Sequence, residues 1–212
     1  IVRGSSIVRD ISALLVLGNR DLSLQDVLTI NEYSRSGGSA LICTECVYVD
    51  IQEGLEAEVL EDNPLLDLLS IYGIEIEKVL IQDPSSKDFR VPHQVFGQIA
   101  WQVIGPYPQW IKILPESINK EHPVSSGFSG LDLLWASPIS LIAKEGIDST
   151  ILIRSSEQSW ITKDPPDTDP YSRPSSQTGA TQSFITGVLL EITGEGGKDI
   201  GTYDNSALLH AN

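Results

Sequence analysis

The residues Ile11 to Glu45, ISALLVLGNRDLSLQDVLTINEYSRSGGSALICTE, decide the fold that this sequence predicts. The apolar run from Ile11 to Leu17 is rich in residues that favour strands and has the length of a buried strand. Gly18-Asn19 interrupts the run before a helical period can develop, so we expect the strand to end at Gly18.

A helix and a second strand are predicted directly after this strand. Ser23 lies three residues before Asp26, a spacing typical of a capping box at a helix N-terminus. Gly37-Gly38 supplies the left-handed residue that commonly ends a helix, and Ser39 to Cys43 returns as an apolar strand. Two strands joined through one helix favour a parallel pair with a right-handed crossover.

The next unit repeats this arrangement. Asn63 precedes Pro64, which predicts an N-cap followed by proline at the first helical position, and the helix is expected to end at Gly73. A strand is predicted from Ile74 to Ile81, with one wet face at its start because apolar and acidic residues alternate there. We therefore predict an α/β fold in which the strands Ala13–Leu17, Ser39–Cys43 and Glu75–Ile81 are neighbours in one mainly parallel sheet.

The remaining segments are expected to add loops and short antiparallel strands to a single α/β domain over residues 1–192. Cys46 to Asp62 is rich in acids and is interpreted as a solvated loop or a short irregular helix. Residues 82–145 are predicted to be a β-rich insertion or extension, and residues 193–212 remain unassigned. The finer predictions are a hairpin of Val95–Ile104 and Trp110–Leu114 around a turn at Gly105–Pro108, a loop at His122–Phe128, strands at Thr150–Arg154 and Phe184–Ile192, and a long loop at Asp164–Gln182.

The charge of the chain argues against a phosphate-backbone partner. The sequence has 14 Lys and Arg against 29 Asp and Glu, for a net charge of -15, whereas nucleic acid requires a basic surface. No apolar run reaches the roughly 18 residues that a membrane-spanning helix needs, and the first residues lack the core of a signal peptide. The sequence contains no Met, so we expect an excised domain whose membrane anchor lies outside it.

The two cysteines offer little support for catalysis or metal binding. Cys43 and Cys46 form a CxxC pair, but Val47-Tyr48-Val49 follows as extended chain rather than as the helix that a thioredoxin-like site requires. Three widely spaced histidines do not complete a zinc site. An enzyme of the amidotransferase or hydrolase type would use Cys43 with His93 or His122, but the small residues of a nucleophile elbow are missing. We interpret Cys43 as a small buried residue and predict no cofactor and no metal.

Two groups of polar residues are the candidate contacts for a ligand or a protein partner. Asn19, Arg20 and Asp21 follow the first strand, and open α/β sheets bind ligands at the carboxyl ends of their strands. Glu53, Glu56 and Glu58 belong to the acidic segment that is expected to gather at the same rim. The alternative of a carbohydrate-binding module would require at least two of Trp101, Trp110, Trp135 and Trp160 on one concave face.

A family resemblance rests on the order and spacing of several segments. After the stretch quoted first, NPLLDLLSIYGIEIEKVLIQD (63–83) gives a second capped helix and strand, and three later markers follow: HPVSSGF (122–128), LLWASPISL (133–141) and STILIRSSEQSW (149–160). In this order the segments resemble the auxiliary, substrate-binding-like component of gliding-motility-type ABC transport systems. The extracytoplasmic domain of that component is similar to class I glutamine amidotransferase-like and intraflagellar-transport domains.

The resemblance implies both a fold and a function. The fold would be flavodoxin-like or amidotransferase-like, without the catalytic residues of the enzymes. The function would be a non-enzymatic binding or scaffolding domain, held outside the cytoplasm (in the periplasm) by membrane segments absent from this chain. Its partners would be the permease and ATPase subunits of an ABC transporter, or an extracytoplasmic protein.

Overall fold

A parallel pair of strands joined by a helix opens the structure. The computed structural model describes residues 11–51, 54–95, 98–162, 166–171 and 180–193. Strand β1 (Leu14–Leu17) pairs in parallel with β2 (Ala40–Cys43), and helix α1 (Leu24–Arg35) connects them. The Ser23 hydroxyl accepts from the amide of Asp26 at 3.2 Å, and the Asp26 carboxylate accepts from the Ser23 amide at 3.0 Å. The predicted parallel pair, its connecting helix and the capping box are confirmed.

Helix α2 (Pro64–Ile71) completes the layer that covers this pair. The Asn63 side chain accepts from the amides of Leu65 and Leu66, as the Asn-Pro signal predicts. The main core lies between the two helices and one face of the strands. Its buried residues are Val16, Val27, Ile30, Leu65, Leu68, Leu69, Tyr72 and Ile74.

The other elements are mostly short strands. They are β3 (Val47–Asp50), β4 (Glu56–Val59), β5 (Ile74–Ile76), β6 (Ile81–Gln82), β7 (Ser86–Val95), β8 (Gln98–Ile113), α3 (Pro123–Ser126), β9 (Leu131–Leu134), β10 (Ile139–Leu141), β11 (Ile147–Arg154), β12 (Trp160–Ile161) and β13 (Ile185–Ile192). Strand accounts for 42% and helix for 16% of the structure.

The predicted mainly parallel sheet of the flavodoxin-like or amidotransferase-like type is wrong. The strand expected over Ile74–Ile81 is split into β5 and β6, and neither pairs with β1 or β2. Strand β5 instead pairs antiparallel with β10, in a four-stranded sheet ordered β11-β13-β10-β5. The local pattern of a helix followed by a strand does not specify a partner, and here a strand far along the chain takes the place expected of β1.

The acidic segment Cys46–Asp62 also differs from its prediction, since it contains a hairpin instead of a loop or irregular helix. Strands β3 and β4 pair antiparallel, with Tyr48 opposite Glu58 and Asp50 opposite Glu56. Val47 and Val49 are buried, whereas Glu56 and Glu58 point outward. The acids thus lie on the solvent-exposed face of a half-buried hairpin. Buried and exposed residues alternate along its strands, and the number of acidic residues alone does not reveal this alternation.

Strands β7 and β8 form a long antiparallel hairpin, here called the arm (Ser86–Ile113). Strand β9 pairs with β8 only at Trp110–Ile113, so the outer part of the arm is a two-stranded ribbon. Gly105-Pro106-Tyr107-Pro108 lies within β8 and is not the predicted turn. The register shifts between Phe89 and Arg90, where Ile104 is the extra residue of a β-bulge on β8.

The last strands close the second half of the domain. Strand β11 pairs antiparallel with β13, which confirms the predicted strands Thr150–Arg154 and Phe184–Ile192. His122 caps α3, a short helix inside the loop predicted at His122–Phe128. Most of the loop predicted at Asp164–Gln182 and the whole of 194–212 lie outside the described residues. Among the described residues, none of the helices combines the length and apolarity needed to cross a bilayer.

Candidate functional site

A buried asparagine ties together the loops at the carboxyl ends of β1 and β2. Asn19 is fully buried, and its side-chain amide donates to the carbonyl of Glu45 at 2.9 Å. Its side-chain oxygen accepts from the Glu45 amide at 3.2 Å, while its backbone carbonyl accepts from the Asn63 side chain at 3.1 Å. Asn19 therefore connects the β1–α1 loop, the β2–β3 loop and the N-terminus of α2. We call Asn19, Glu45 and Asn63 the clasp.

The clasp supports a charged surface formed by Arg20 and the β3–β4 hairpin. The Arg20 guanidinium lies over the Tyr48 ring, 3.9 Å from its centroid, and is 4.0 Å from a Glu58 carboxylate oxygen. The Arg20 and Glu58 side chains are both about half exposed or more, so the ion pair contributes little to stability. A cation stacked on an aromatic ring holds its orientation better than a free side chain. We call Arg20, Tyr48 and Glu58 the rim.

Burial and charge act in opposite directions on the carboxylate of Glu45. Desolvation raises the pKa of Glu45 above its ordinary value of 4.5, and the nearby Arg20 charge partly lowers it again. The backbone of Glu45 thus belongs to the clasp, whereas its side chain interacts with the charge of Arg20 in the rim.

The six residues predicted to contact a ligand or partner differ in their positions and exposure. Arg20 and Glu58 are brought together, and Glu56 lies on the same strand as Glu58 with its side chain exposed. Asn19 is buried, so it orders the loops and presents no side chain to a ligand. Asp21 is exposed in the turn after Arg20. Glu53 lies outside the described residues.

Sequence reasoning missed two residues of this site. Tyr48 was treated only as evidence of extended chain, yet it carries the Arg20 guanidinium. Asn63 was predicted as an N-cap, but its donation to Asn19 was not. The alternation Val47-Tyr48-Val49-Asp50, interpreted as a half-buried strand, would have placed Tyr48 on the open side with the acids.

An apolar surface lies on the face of β1 and β2 that is turned away from the main core. Leu15 pairs with Leu41, and Leu17 pairs with Cys43, so all four side chains share one face. The exposed fractions are 54% for Leu15, 65% for Leu17 and 62% for Leu41, and Cys43 is exposed too. We call these four residues the open face. The prediction that β1 and β2 are buried strands, with Cys43 as a small buried residue, is therefore wrong.

The thiols and histidines are not arranged as a catalytic pair in the described residues. Cys46, not Cys43, is the buried cysteine; its thiol lies 2.9 Å from the Glu77 carbonyl, and burial raises its pKa. The Nδ1 atom of His122 accepts from the Val124 amide at 3.2 Å, a helix-capping role. No hydrogen bond joins Cys43 to His122, and the side chain of His93 lies outside the description. The described part of the chain also contains no cluster of potential metal ligands.

The tryptophans do not form a shared platform. Trp101 is exposed, whereas the other three are partly buried. Trp135 donates from its indole nitrogen to the Tyr107 hydroxyl at 2.9 Å, and the Trp110 ring contacts Phe89 edge-on. The carbohydrate-binding alternative required two exposed tryptophans on one concave face, and this arrangement does not supply them.

Comparison with known proteins identifies the family of this chain. No curated protein and no solved structure matches it. One family model, described as "ABC-type uncharacterized transport system", matches residues 2–194, which is nearly the whole sequence. The matched range contains every element from β1 to β13. The chain thus belongs to the family of auxiliary components of ABC-type transport systems.

Proposed function

We propose that this domain is a non-enzymatic binding or scaffolding domain of an ABC transport system of the gliding-motility type. It would lie outside the cytoplasm, in the periplasm, and be held there by membrane segments of the full-length protein. Its partner would be a permease subunit of the permease and ATPase assembly, or an extracytoplasmic protein. Family membership supports the association with transporter components.

The observation that carries the proposal is the open face, together with the rim. Three leucines are more than half exposed on paired strands, although a sheet face of this composition is usually covered in α/β proteins. The rim, whose Arg20 follows β1 by three residues, has side chains of both signs, and the clasp orders the loop that carries Arg20. A protein contact needs this combination of an apolar centre and a polar edge, and a small solute would need a concave pocket instead.

The test is co-purification of the full-length protein with its transporter subunits. We expect Leu17→Ser with Leu41→Ser to reduce recovery of the partner strongly, because apolar area at the centre of the contact is lost. The matched control is Val124→Ser with Ile142→Ser, which removes two exposed apolar side chains elsewhere. Equal recovery with both double variants would exclude the open face from the contact.

A charge swap examines the rim separately. Arg20→Glu with Glu58→Arg restores an ion pair in the folded domain but exchanges the positions of the two charges. If the rim contacts the partner, the swap reduces recovery even though the domain keeps its stability, and added salt weakens binding of the unmodified protein. Full recovery with the swapped protein would mean that the rim serves only the fold.

The location is tested with the full-length protein in intact cells. With Cys43→Ser as the background, a cysteine introduced at Val124, which is exposed and lies outside the open face, the rim and the stripe, should be labelled by a thiol reagent that does not cross the inner membrane. Labelling that requires cell lysis would contradict the periplasmic location.

A further inference from the structure

We propose that the outer part of the arm contacts the headgroup region of a lipid bilayer through a stripe of three apolar side chains. The stripe consists of Ile99, Trp101 and Val103, whose exposed fractions are 71%, 65% and 51%. They alternate along β8, so they share one face of the ribbon. Cross-strand pairing places Pro92 opposite Trp101 and Arg90 opposite Val103, and both are exposed on this face.

The distribution of charge along the arm favours a lipid bilayer as its contact. The sequence contains no Asp or Glu from Phe89 to Pro115, although the whole chain has a net charge of -15. Among the side chains that the structure describes beside the stripe, the basic one is Arg90, opposite Val103. The part of the arm from Phe89 outward thus has no carboxylate of its own that would be repelled by a negatively charged membrane surface.

The length of the arm separates the stripe from the acidic body. Strand β8 is exposed at Gln98, Ile99 and Trp101 and becomes buried only from Tyr107 onward. The part of β8 from Gln98 to Gly105 spans roughly 20 Å at the usual rise per residue. Ile99 and Trp101 lie farther from Gly105 than the Debye length of about 8 Å at physiological ionic strength, whereas Val103 does not, so the charge of the body is weakened by screening at the outer end of the stripe.

The residue types of the stripe suit the membrane interface better than an aqueous protein surface. Tryptophan prefers the headgroup level of a bilayer, where its ring is in an apolar environment and its N–H meets water. Isoleucine and valine add apolar area on either side. A contact of three side chains is weak by itself, so it would orient a domain that is already close to the membrane rather than anchor a free one.

The test measures partition of the purified domain onto vesicles. Vesicles of phosphatidylcholine alone, and of phosphatidylcholine with an equal amount of phosphatidylglycerol, are sedimented with the protein. We expect weak binding to both, reduced about tenfold by Ile99→Ser, Trp101→Ser and Val103→Ser together. The matched triple variant Leu15→Ser, Leu17→Ser and Leu41→Ser changes the open face instead and should bind vesicles as well as the unmodified protein.

The salt dependence has a definite sign. A contact through the stripe is apolar, whereas the acidic body is repelled by the anionic vesicles. Raising the salt concentration should therefore increase binding to phosphatidylglycerol vesicles and leave binding to neutral vesicles nearly unchanged. Binding that falls with salt on anionic vesicles would indicate electrostatic attachment and overturn the proposal.

Fluorescence quenching locates the contact. Brominated phosphatidylcholine should quench the unmodified protein, and Trp101→Phe, which keeps an aromatic side chain, should bind vesicles but lose most of the quenching. The proposal is overturned if no vesicle binding is detected, or if the stripe and open-face variants bind equally. It is also overturned if the stripe variant binds vesicles normally but loses a transporter subunit in detergent, since the stripe would then fit a protein groove.

Discussion

At the scale of single residues, the clasp replaces the ligand contacts that the sequence suggested. Asn19 occupies the position at the end of the first strand where a ligand-binding side chain was expected, but its amide is used on the backbone of Glu45. The side chain therefore orders the loop on which Arg20 is presented. The side chains that this site presents to a partner are therefore Arg20 and its neighbours, and not Asn19.

The first prediction concerns the stability of the clasp. Asn19→Ala should lower the free energy of unfolding by about 2 kcal/mol or more, because two hydrogen bonds are lost and two peptide groups of Glu45 are left without partners. Arg20→Ala should lower it by less than about 1 kcal/mol, since its contacts are exposed. Urea unfolding of both variants measures the difference. Equal effects would show that Asn19 is not a structural residue.

The second prediction concerns the pH dependence caused by Glu45. Because the folded-state pKa is raised, the folded protein holds its proton more tightly than the unfolded chain, and stability falls as pH rises from about 4.5 through the folded pKa. Glu45→Gln removes this loss, so it should be more stabilising at neutral pH than at pH 4. The gain should be larger in an Arg20→Ala background, where the compensating positive charge is gone. A difference that does not vary with pH would contradict the assignment.

At the scale of elements, the two helices of the main core begin with caps of different strength. Ser23 is exposed at the start of α1, while Asn63 is buried at the start of α2 and also donates to Asn19. One residue therefore combines the capping of a helix with the joining of two loops.

The third prediction follows from this comparison. Ser23→Ala should cost about 1 kcal/mol, the usual value for an N-cap. Asn63→Ala should cost more, by about another 1 kcal/mol, because the donation to the Asn19 carbonyl is lost as well. Asn63→Ser keeps a capping oxygen and removes the amide that donates to Asn19 without adding a buried charge, so its cost should fall below that of Asn63→Ala. Chemical denaturation ranks the three variants, and Ser23→Ala as the most damaging would refute the argument.

At the scale of the whole molecule, the surfaces available for contact lie on separate parts of the chain. The open face and the rim belong to the first crossover and the β3–β4 hairpin, and the stripe belongs to the arm.

The fourth prediction uses the two cysteines to follow the first of these surfaces, the open face. In the isolated native protein a thiol reagent should label Cys43 but not Cys46, because only Cys43 is exposed.

Assembly with the transporter should then slow the labelling of Cys43. Unfolding in denaturant should expose the second thiol, and Cys43→Ser should remove the labelling of the native protein. Unchanged labelling of Cys43 in a complex that retains every subunit would show that the open face remains uncovered.

The sequence predicted the local units of this molecule better than their pairing. Caps and turns are encoded by adjacent residues, so α1, α2 and the parallel pair β1–β2 could be predicted from Ser23, Asn63 and Gly37-Gly38. The partner of β5 could not, because β10 lies about sixty residues further along the chain and nothing near Ile74 specifies it. Pro106 and Pro108 indicated a turn, yet they lie in β8 beside a bulge, where prolines are tolerated.

The candidate site shows the same division. Arg20 and Glu58 could be predicted as neighbours at one rim, because the carboxyl ends of parallel strands gather the loops that follow them. Tyr48 could not, because the acids around it were interpreted as a solvated loop rather than as one face of a hairpin. Exposure of the open face was also hidden, since an apolar strand covered on one side has the same composition as one covered on both.

The bulge in the arm determines the direction in which the stripe faces. On the C-terminal side of Ile104, the odd-numbered residues Tyr107, Gln109 and Ile111 of β8 point into the domain. On its N-terminal side, the odd-numbered residues of the stripe are exposed. The extra residue shifts the alternation by one, and thereby turns the outer ribbon over relative to its base. The presence of one extra residue at position 104, and not the type of its side chain, determines which face of the outer arm the stripe occupies. Deleting Ile104 would leave every residue of the stripe in place in the sequence and invert the surface that it presents.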